Sequence, residues 1–425
     1  MTEARSEGFQ LSEFSEKAYR SIWDSRKRIN IWHGAVRSGK TISSLIAFGM
    51  CIGSRPRKGH VYMMVGRTRQ TLERNCILPL VALFGRGAVE YKPFQDRMHF
   101  CGRLVYLVGA NDDRAADKIR GVTLTDAYGD ELTTWPQSVF AMLLTRLSVT
   151  GARFYGTTNP DSPGHWLKRE YLDRADELDI AHWQFTLDDN TALDPLYVDA
   201  LKREFTGLWY RRYVLGEWTQ AEGAVYDQMP DAMFLDDGDP ALAKARQFGD
   251  RYFFIDYGTT NPLVCLDAYV YKDSLYVDRE WRHDSQAAGH QLTNADYAER
   301  LYRFAGHPDY VRDVIIDPSA ASFKLDMREA GFAVRSGDNA VMEGVQQVAS
   351  LMSQGRLFIA KGRCAATIEE LRGYRWDSAR AAVGKEQPVK EKDHGPDALR
   401  YGVVTLRLVR KPDEAGSEPY DIQIY

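Results

Sequence analysis

Residues 33–42 read HGAVRSGKTI and follow the apolar run in RINIW. From Gly34 to Thr41 the spacing fits G-x-x-x-x-G-K-[ST], a loop whose backbone N–H groups wrap a triphosphate. In that reading Gly34, Ser38 and Gly39 shape the cradle, Lys40 meets the β and γ phosphates, and Thr41 holds Mg²⁺. Arg37 adds a second cation facing the nucleotide, so ATP is the expected ligand. Hydrolysis also needs an acidic residue at a strand end to hold the metal's water shell and a carboxylate to orient the attacking water. The stretch TLTDAYGDEL offers Asp130 and Glu131. Thr125 and Asp126 make the strand before them less apolar than usual, so a solvated acidic helix start competes with that reading. FYGTTNP ends a strand on Thr157, Thr158 and Asn159, polar groups able to sense a γ-phosphate and couple hydrolysis to movement.

A second set of residues lies in the other half. Asp256 closes the apolar run YFFID, Asp317 closes VIID, and Asp397 opens a helix in DHGPDALRYG. An aspartate ending a buried strand is costly unless it is paired or binds a cation. Three of them suggest convergence on two divalent ions, Mg²⁺ or Mn²⁺, which activate water and stabilise the leaving oxygen in phosphodiester cleavage. His394 stands three residues before Asp397 and can share the site as ligand or proton carrier. Glu280 is a weaker candidate. Taken singly, each carboxylate reads as a helix cap or an ion-pair partner; the set, following an ATPase loop in one chain, points to a nuclease.

The elements that must position these residues follow from hydrophobic patterning. INIW, VYMMV, LVYLVGA and ARFYGTT alternate with amphipathic stretches, which predicts βαβ units and a parallel central sheet. The first half is therefore expected to be an ATPase domain over residues 1–226, with 166–226 as a small helical lid. Residues 227–250 gather Pro, Gly and aspartates and read as a linker. RYFFIDYG, LVCLDAYVY and SLYVDREW predict three antiparallel strands, the last two joined through Lys272 and Asp273 as a hairpin. A helix (295–304), the strand DVIIDPSA, then FAVRS, a helix near 342–352, RLFIA and a final helix over 396–409 complete an RNase H-like order across 251–410. Residues 411–425 read as a flexible or docking tail.

Composition fits this picture. The 425 residues are 44% hydrophobic and 27% charged, suit two or three domains, and contain no apolar run long enough to span a bilayer. The start MTEARSEGFQ has no signal-peptide core, and five scattered cysteines support neither disulfides nor zinc, so a reducing cytosol is expected. A net charge of −4 argues against a uniformly basic nucleic-acid binder. From Lys361 to Lys411, however, 12 Lys or Arg face 7 Asp or Glu, a DNA track or a solvated face. Lys361, Arg363, Lys390 and Lys392 are the candidate DNA contacts, gripping phosphates without a base code.

The ordered set NIWHGAVRSGKT, GDEL, GTTNPDSPGHW, LGEWTQAEGAVYD, FFIDYGTTNP, IIDPSA and DHGPDALRYG resembles the large terminase subunits of tailed bacteriophages over nearly the whole chain. The resemblance implies a packaging ATPase joined to an RNase H-like nuclease, translocating double-stranded DNA and cutting concatemers. It implies as partners the small terminase subunit and a portal on a procapsid, with a homo-oligomeric ring when docked. Single chains in solution are compatible with it, and the expected place is the host cytoplasm, away from any membrane. Under it Arg37 and Lys40 look like the phosphate-loop cations, Glu131 like the catalytic base and Thr157 to Asn159 like the coupling motif. Arg120, in KIRGVTL, is similar to the arginine that completes a neighbour's site, and a surface or DNA-facing arginine is the other reading. Asp256, Asp317 and Asp397 look like the nuclease triad, with His394 as in branches that place a histidine there. The sequence departs from many relatives by having Ala18 near the position of an adenine-reading Gln, which leaves Gln10 or backbone contacts for that task. A helicase or repair ATPase fused to a resolvase-like nuclease, and a scaffold with vestigial sites, are the alternative functions.

Overall fold

The computed structural model describes residues 14–56, 59–93, 95–227, 229–258, 262–382 and 384–409. Gln10 and the 411–425 tail lie outside the described residues, as do 259–261 of FFIDYGTTNP.

Eight strands build the first sheet: β1 (Ile29–Gly34), β2 (Tyr62–Gly66), β3 (Val89–Glu90), β4 (Arg97–Phe100), β5 (Arg103–Gly109), β6 (Asp126–Gly129), β7 (Arg153–Thr158) and β8 (Ile180–Phe185). Their spatial order is β3-β4-β5-β2-β6-β7-β1-β8. From β5 to β8 neighbours run parallel, while β3, β4 and β5 pair antiparallel. The sheet is thus mixed, where alternation alone predicted a parallel one. Both faces are covered by apolar side chains, which is why β1 and β2 are buried along their whole length and read as continuous hydrophobic runs.

The expectation of a helical lid over 166–226 needs correction, because β8 lies inside that stretch and pairs parallel with β1. As an edge strand it is half solvated, so IAHWQF lacks the apolar density of its neighbours. The helices Pro195–Glu204 and Gly207–Tyr213 do follow, and their Leu201 and Trp209, with Phe205 between them, share a core with Val345, Val348 and Leu351 of the second half.

The second sheet contains β9 (Phe234–Leu235), β10 (Asp250–Asp256), β11 (Leu263–Tyr271), β12 (Ser274–His283), β13 (Asp313–Ile316), β14 (Val334–Ser336) and β15 (Leu357–Ala360), in the order β14-β13-β10-β11-β12-β15-β9. β10, β11 and β12 are antiparallel, β13 and β14 add in parallel beside β10, and this is the predicted RNase H-like order. Lys272 (φ 49°) and Asp273 (φ 59°) both take left-handed conformations, as a tight hairpin turn requires. Residues 227–250 do not form a plain linker. Within them β9 pairs with β15, and Asp239 caps a helix over Pro240–Phe248 through a 2.8 Å bond to the Ala241 N–H. The final helix runs His394–Leu406 and lies tightly on β10: a Cβ on Gly402 would fall 2.3 Å from the Phe254 ring.

Candidate functional site

The first candidate centre forms where β1, β6 and β7 end. β1 pairs with β7 on one side and β8 on the other, so its terminus delivers the next residues at a fixed place. At Gly34 (φ 139°) a Cβ would sit 2.0 Å from the Phe185 carbonyl oxygen, and only glycine fits. Arg37 (φ 54°) and Gly39 (φ 79°) are left-handed, an alternation that turns successive N–H groups to one side and suits an anion. The loop is braced from within: Ser38 Oγ and Lys40 Nζ donate to the Ala35 carbonyl at 2.8 and 2.7 Å. Asn190 Nδ2 donates to the Arg37 carbonyl at 2.7 Å. Gly39 opens the helix Lys40–Ser54, whose N-terminus adds its partial positive charge to that of Lys40. Lys40 is buried, Thr41 half-buried and Arg37 exposed.

β7 lies between β1 and β6, with Trp32 opposite Thr157 and Gly129 opposite Gly156. Thr157 therefore stands between the loop and Asp130, and its Oγ1 donates to Asp130 Oδ1 at 2.8 Å. Asn75 Nδ2 holds the other oxygen at 3.1 Å. Burial raises the Asp130 carboxyl, while the bonds from Thr157 and Asn75 and the Lys40 charge pull the other way. Glu131 follows in a left-handed conformation (φ 54°), a strained backbone for a non-glycine residue, and its carbonyl accepts from Thr134 N at 2.9 Å. Thr158 hydrogen-bonds to Thr133 at 2.8 Å, and Asn159 keeps a buried Oδ1 without a hydrogen-bond partner. Asp126, which interrupts the strand pattern, is fully buried and held by Arg55 Nε and Nη2 at 3.1 and 2.8 Å. The pair keeps β6 a strand, so Asp130 is delivered by the sheet and not by a solvated helix start. Arg120 sits at the surface, its side chain 66% exposed and 3.3 Å from Asp117. Ala18 is buried in the helix Glu16–Asp24 within the apolar core.

The second centre forms where β10 and β13 end. Their register places Ile255 beside Ile316, and Asp317 N donates to the Ile255 carbonyl at 3.1 Å, so Asp256 and Asp317 leave adjacent strands together. Asp397 arrives on the last helix. His394 Nδ1 donates to Asp256 Oδ2 at 2.9 Å. Burial pushes Asp256 up to about 6, against the His394 bond and with added repulsion from Asp397 and Asp317. Burial pulls the His394 imidazole down, but its bond to Asp256 and the charges of Asp256, Asp393 and Glu370 carry it above its ordinary value. Asp397 Oδ1 meets Arg400 at 3.1 Å and the Tyr374 hydroxyl at 3.4 Å, and Oδ2 meets Lys390 Nζ at 2.7 Å. Among the described residues no three His, Cys, Asp or Glu side chains are gathered into a ligand cluster. The donors still fit a hard cation: Asp397 and Asp317 raise the cost of charging Asp256, and positive charge between them relieves it.

Other sequence candidates are engaged elsewhere. Glu280 accepts from the N–H groups of Ala366 and Thr367 at 2.9 and 3.1 Å, capping the helix Ala365–Gly373. Lys361 pairs with Asp236 at 3.2 Å and Arg363 donates to the Asp278 carbonyl at 2.9 Å, so neither is a bare cation for DNA. Lys392 is exposed. Sequence reasoning missed Asn75, Asn190, Arg400 and a buried trio beside the loop. In that trio Trp218 Nε1 donates to His33 Nδ1 at 3.2 Å, which leaves His33 Nε2 to donate to His182 Nδ1 at 3.1 Å. Burial first, then His182, Lys168 and Lys40, hold His33 down to about 3, so it is neutral at pH 7. No local spacing marks these residues.

The family model described as "Terminase large subunit, T4likevirus-type, N-terminal" matches residues 31–230. Among solved structures, the large terminase from a thermophilic bacteriophage is 31% identical, with a TM-score of 0.82 over 93% of this chain and 99% of that one. The same protein in complex with ADP gives 32% identity and a TM-score of 0.81, covering 93% and 100% of the two chains. Its complex with ATP-gamma-S gives 31% and 0.80, covering 92% and 98%. No curated protein sequence matches.

Proposed function

The chain belongs to the large terminase subunits of tailed bacteriophages, and from that premise we propose that it is an ATP-driven motor that moves double-stranded viral DNA into a procapsid and cuts it with a metal-dependent endonuclease. The observation that carries the reading is the pairing of two polar centres at the strand ends of two different sheets. One is a braced anion cradle beside Asp130, and the other a trio of aspartates crowded enough to raise Asp256. The motor half runs to about residue 226 and the nuclease half follows, with 231–248 counted in the second sheet.

At the first centre Lys40, Arg37 and the N–H groups from Ser38 to Thr41 hold the ATP phosphates, in keeping with the ADP and ATP-gamma-S complexes of the thermophilic phage's large terminase. Thr41 and Asp130 are the residues for Mg²⁺, which when bound neutralises phosphate charge. Glu131 orients the attacking water. Thr157, bonded to Asp130 and next to Thr158 and Asn159, links the state of the phosphates to the chain beyond β7. The exposed Arg120 is available to a neighbouring subunit in a ring.

At the second centre Asp256, Asp317 and Asp397 are the residues for divalent ions, Mg²⁺ or Mn²⁺, which when bound activate water and stabilise the leaving oxygen of a phosphodiester. His394 holds one oxygen of Asp256 and fixes that carboxylate's orientation. Small terminase subunit, portal and DNA are the partners.

The test is plasmid cleavage by the purified protein in Mg²⁺ or Mn²⁺, wild type beside Asp256→Ala, with ATP hydrolysis followed on the same samples. Cutting lost in the variant while hydrolysis persists is the expected result. No cutting by wild type with either metal would remove the nuclease assignment.

A further inference from the structure

The two oxygens of Asp397 live in different surroundings. Oδ1 points inward to Arg400, whose side chain is 1% exposed, and to the Tyr374 hydroxyl. Oδ2 meets Lys390, whose side chain is 55% exposed. A buried guanidinium in a fixed pair stays where it is, whereas a half-solvated ammonium on a flexible stem can leave for water at little cost. Lys390 Nζ also lies 3.0 Å from Asp393 Oδ2, so two carboxylates bracket it.

The backbone under Lys390 is not loose. Val389 N donates to the Arg375 carbonyl at 2.9 Å, and Trp376 and Pro388 form an antiparallel bridge. Further back, Glu386 Oε1 accepts from the buried Arg212 at 2.7 Å and from Ala221 N at 3.0 Å, both from the ATPase half. The lysine is thus a mobile cation on a fixed mount, at the solvent side of the aspartate trio.

We propose that Lys390 is a built-in counter-cation that occupies the outward oxygen of Asp397 and is displaced when a divalent ion enters, so that it sets the metal affinity of the centre. This rests on the nuclease reading above. Lys390 is here a positioning residue, and the metal and the ammonium compete for one oxygen.

The test is Mn²⁺ binding to the full chain without nucleotide or DNA, by calorimetry and by the electron paramagnetic resonance signal of free Mn²⁺. Lys390→Ala is expected to bind Mn²⁺ about two- to fivefold more tightly than wild type, the range for losing one partly exposed ion pair. Lys390→Arg is expected to stay near wild type, and Asp397→Asn to lose the site. Unchanged or weaker Mn²⁺ binding in Lys390→Ala, with Asp397→Asn still defective and both variants folded by near-UV circular dichroism, overturns the lysine's role and leaves the nuclease reading standing. Equal binding by wild type, Asp256→Asn and Asp397→Asn overturns both.

Discussion

Arg212 and Glu386 meet at 2.7 Å with side chains only 4% exposed each, joining the half that carries the phosphate loop to the half that carries the aspartates. Arg212 also lies 3.3 Å from Asp161, two residues beyond Asn159, and Ser162 Oγ donates to the Ala381 carbonyl at 3.0 Å. The chain that follows β7 therefore packs directly on the other half.

Removing the cation from this junction leaves a buried carboxylate without its partner. Burial already raises the Glu386 carboxyl, and Arg212→Met is expected to cost about 3–5 kcal/mol. Urea unfolding checks this, and Arg212→Met with Glu386→Leu together should recover part of the loss. Equal stability of wild type and the single variant would mean that the pair does not hold the halves together.

Glu131 is expected to separate binding from hydrolysis. In Glu131→Gln the left-handed backbone and the phosphate loop are unchanged, so nucleotide binding should persist while hydrolysis falls about 100-fold or more. A fluorescent nucleotide titration beside phosphate release reads both. Retained hydrolysis would move the base elsewhere.

The folded Asp256 carboxyl, at about 6 against an ordinary 3.8, keeps its proton where the unfolded chain has lost it. The stability it contributes is present below about pH 4 and declines as pH rises to about 6, because the native state binds more protons in that window. At pH 8, above both values, metal-free Asp256→Asn should be more stable than wild type by about 2 kcal/mol, with the gap closing toward pH 4. Thermal unfolding across that range tests the sign. A variant less stable at pH 8 would show that the carboxylate carries no charging cost.

Gly34→Ala places a methyl group into the Phe185 carbonyl, and the backbone has to shift to accept it. The expected cost is about 3 kcal/mol or more, with loss of nucleotide binding, whereas Gly53→Ala, which meets nothing within 4 Å, should be stabilising by about 0.5–1 kcal/mol. Melting curves of the two distinguish loop geometry from general intolerance of alanine.

The phosphate loop, the strand-ending aspartates and the Lys272–Asp273 turn were legible in the sequence because each depends on neighbours within a few residues. Backbone handedness, hydrophobic period and turn chemistry are local, and the RNase H-like order follows from stringing them together. What only the tertiary structure decided are the pairings across distance. Arg55 neutralises Asp126 from 71 residues away and so preserves β6, β8 closes on β1 despite its weak apolar pattern, and 231–248 joins a sheet instead of linking two. Among the basic residues of the last segment, tertiary structure sends Lys361 and Arg363 to Asp236 and Asp278, and Lys390 and Arg400 to Asp397. Charge acts through space and burial sets its strength, so which cation serves which carboxylate is settled only once the sheets bring them together.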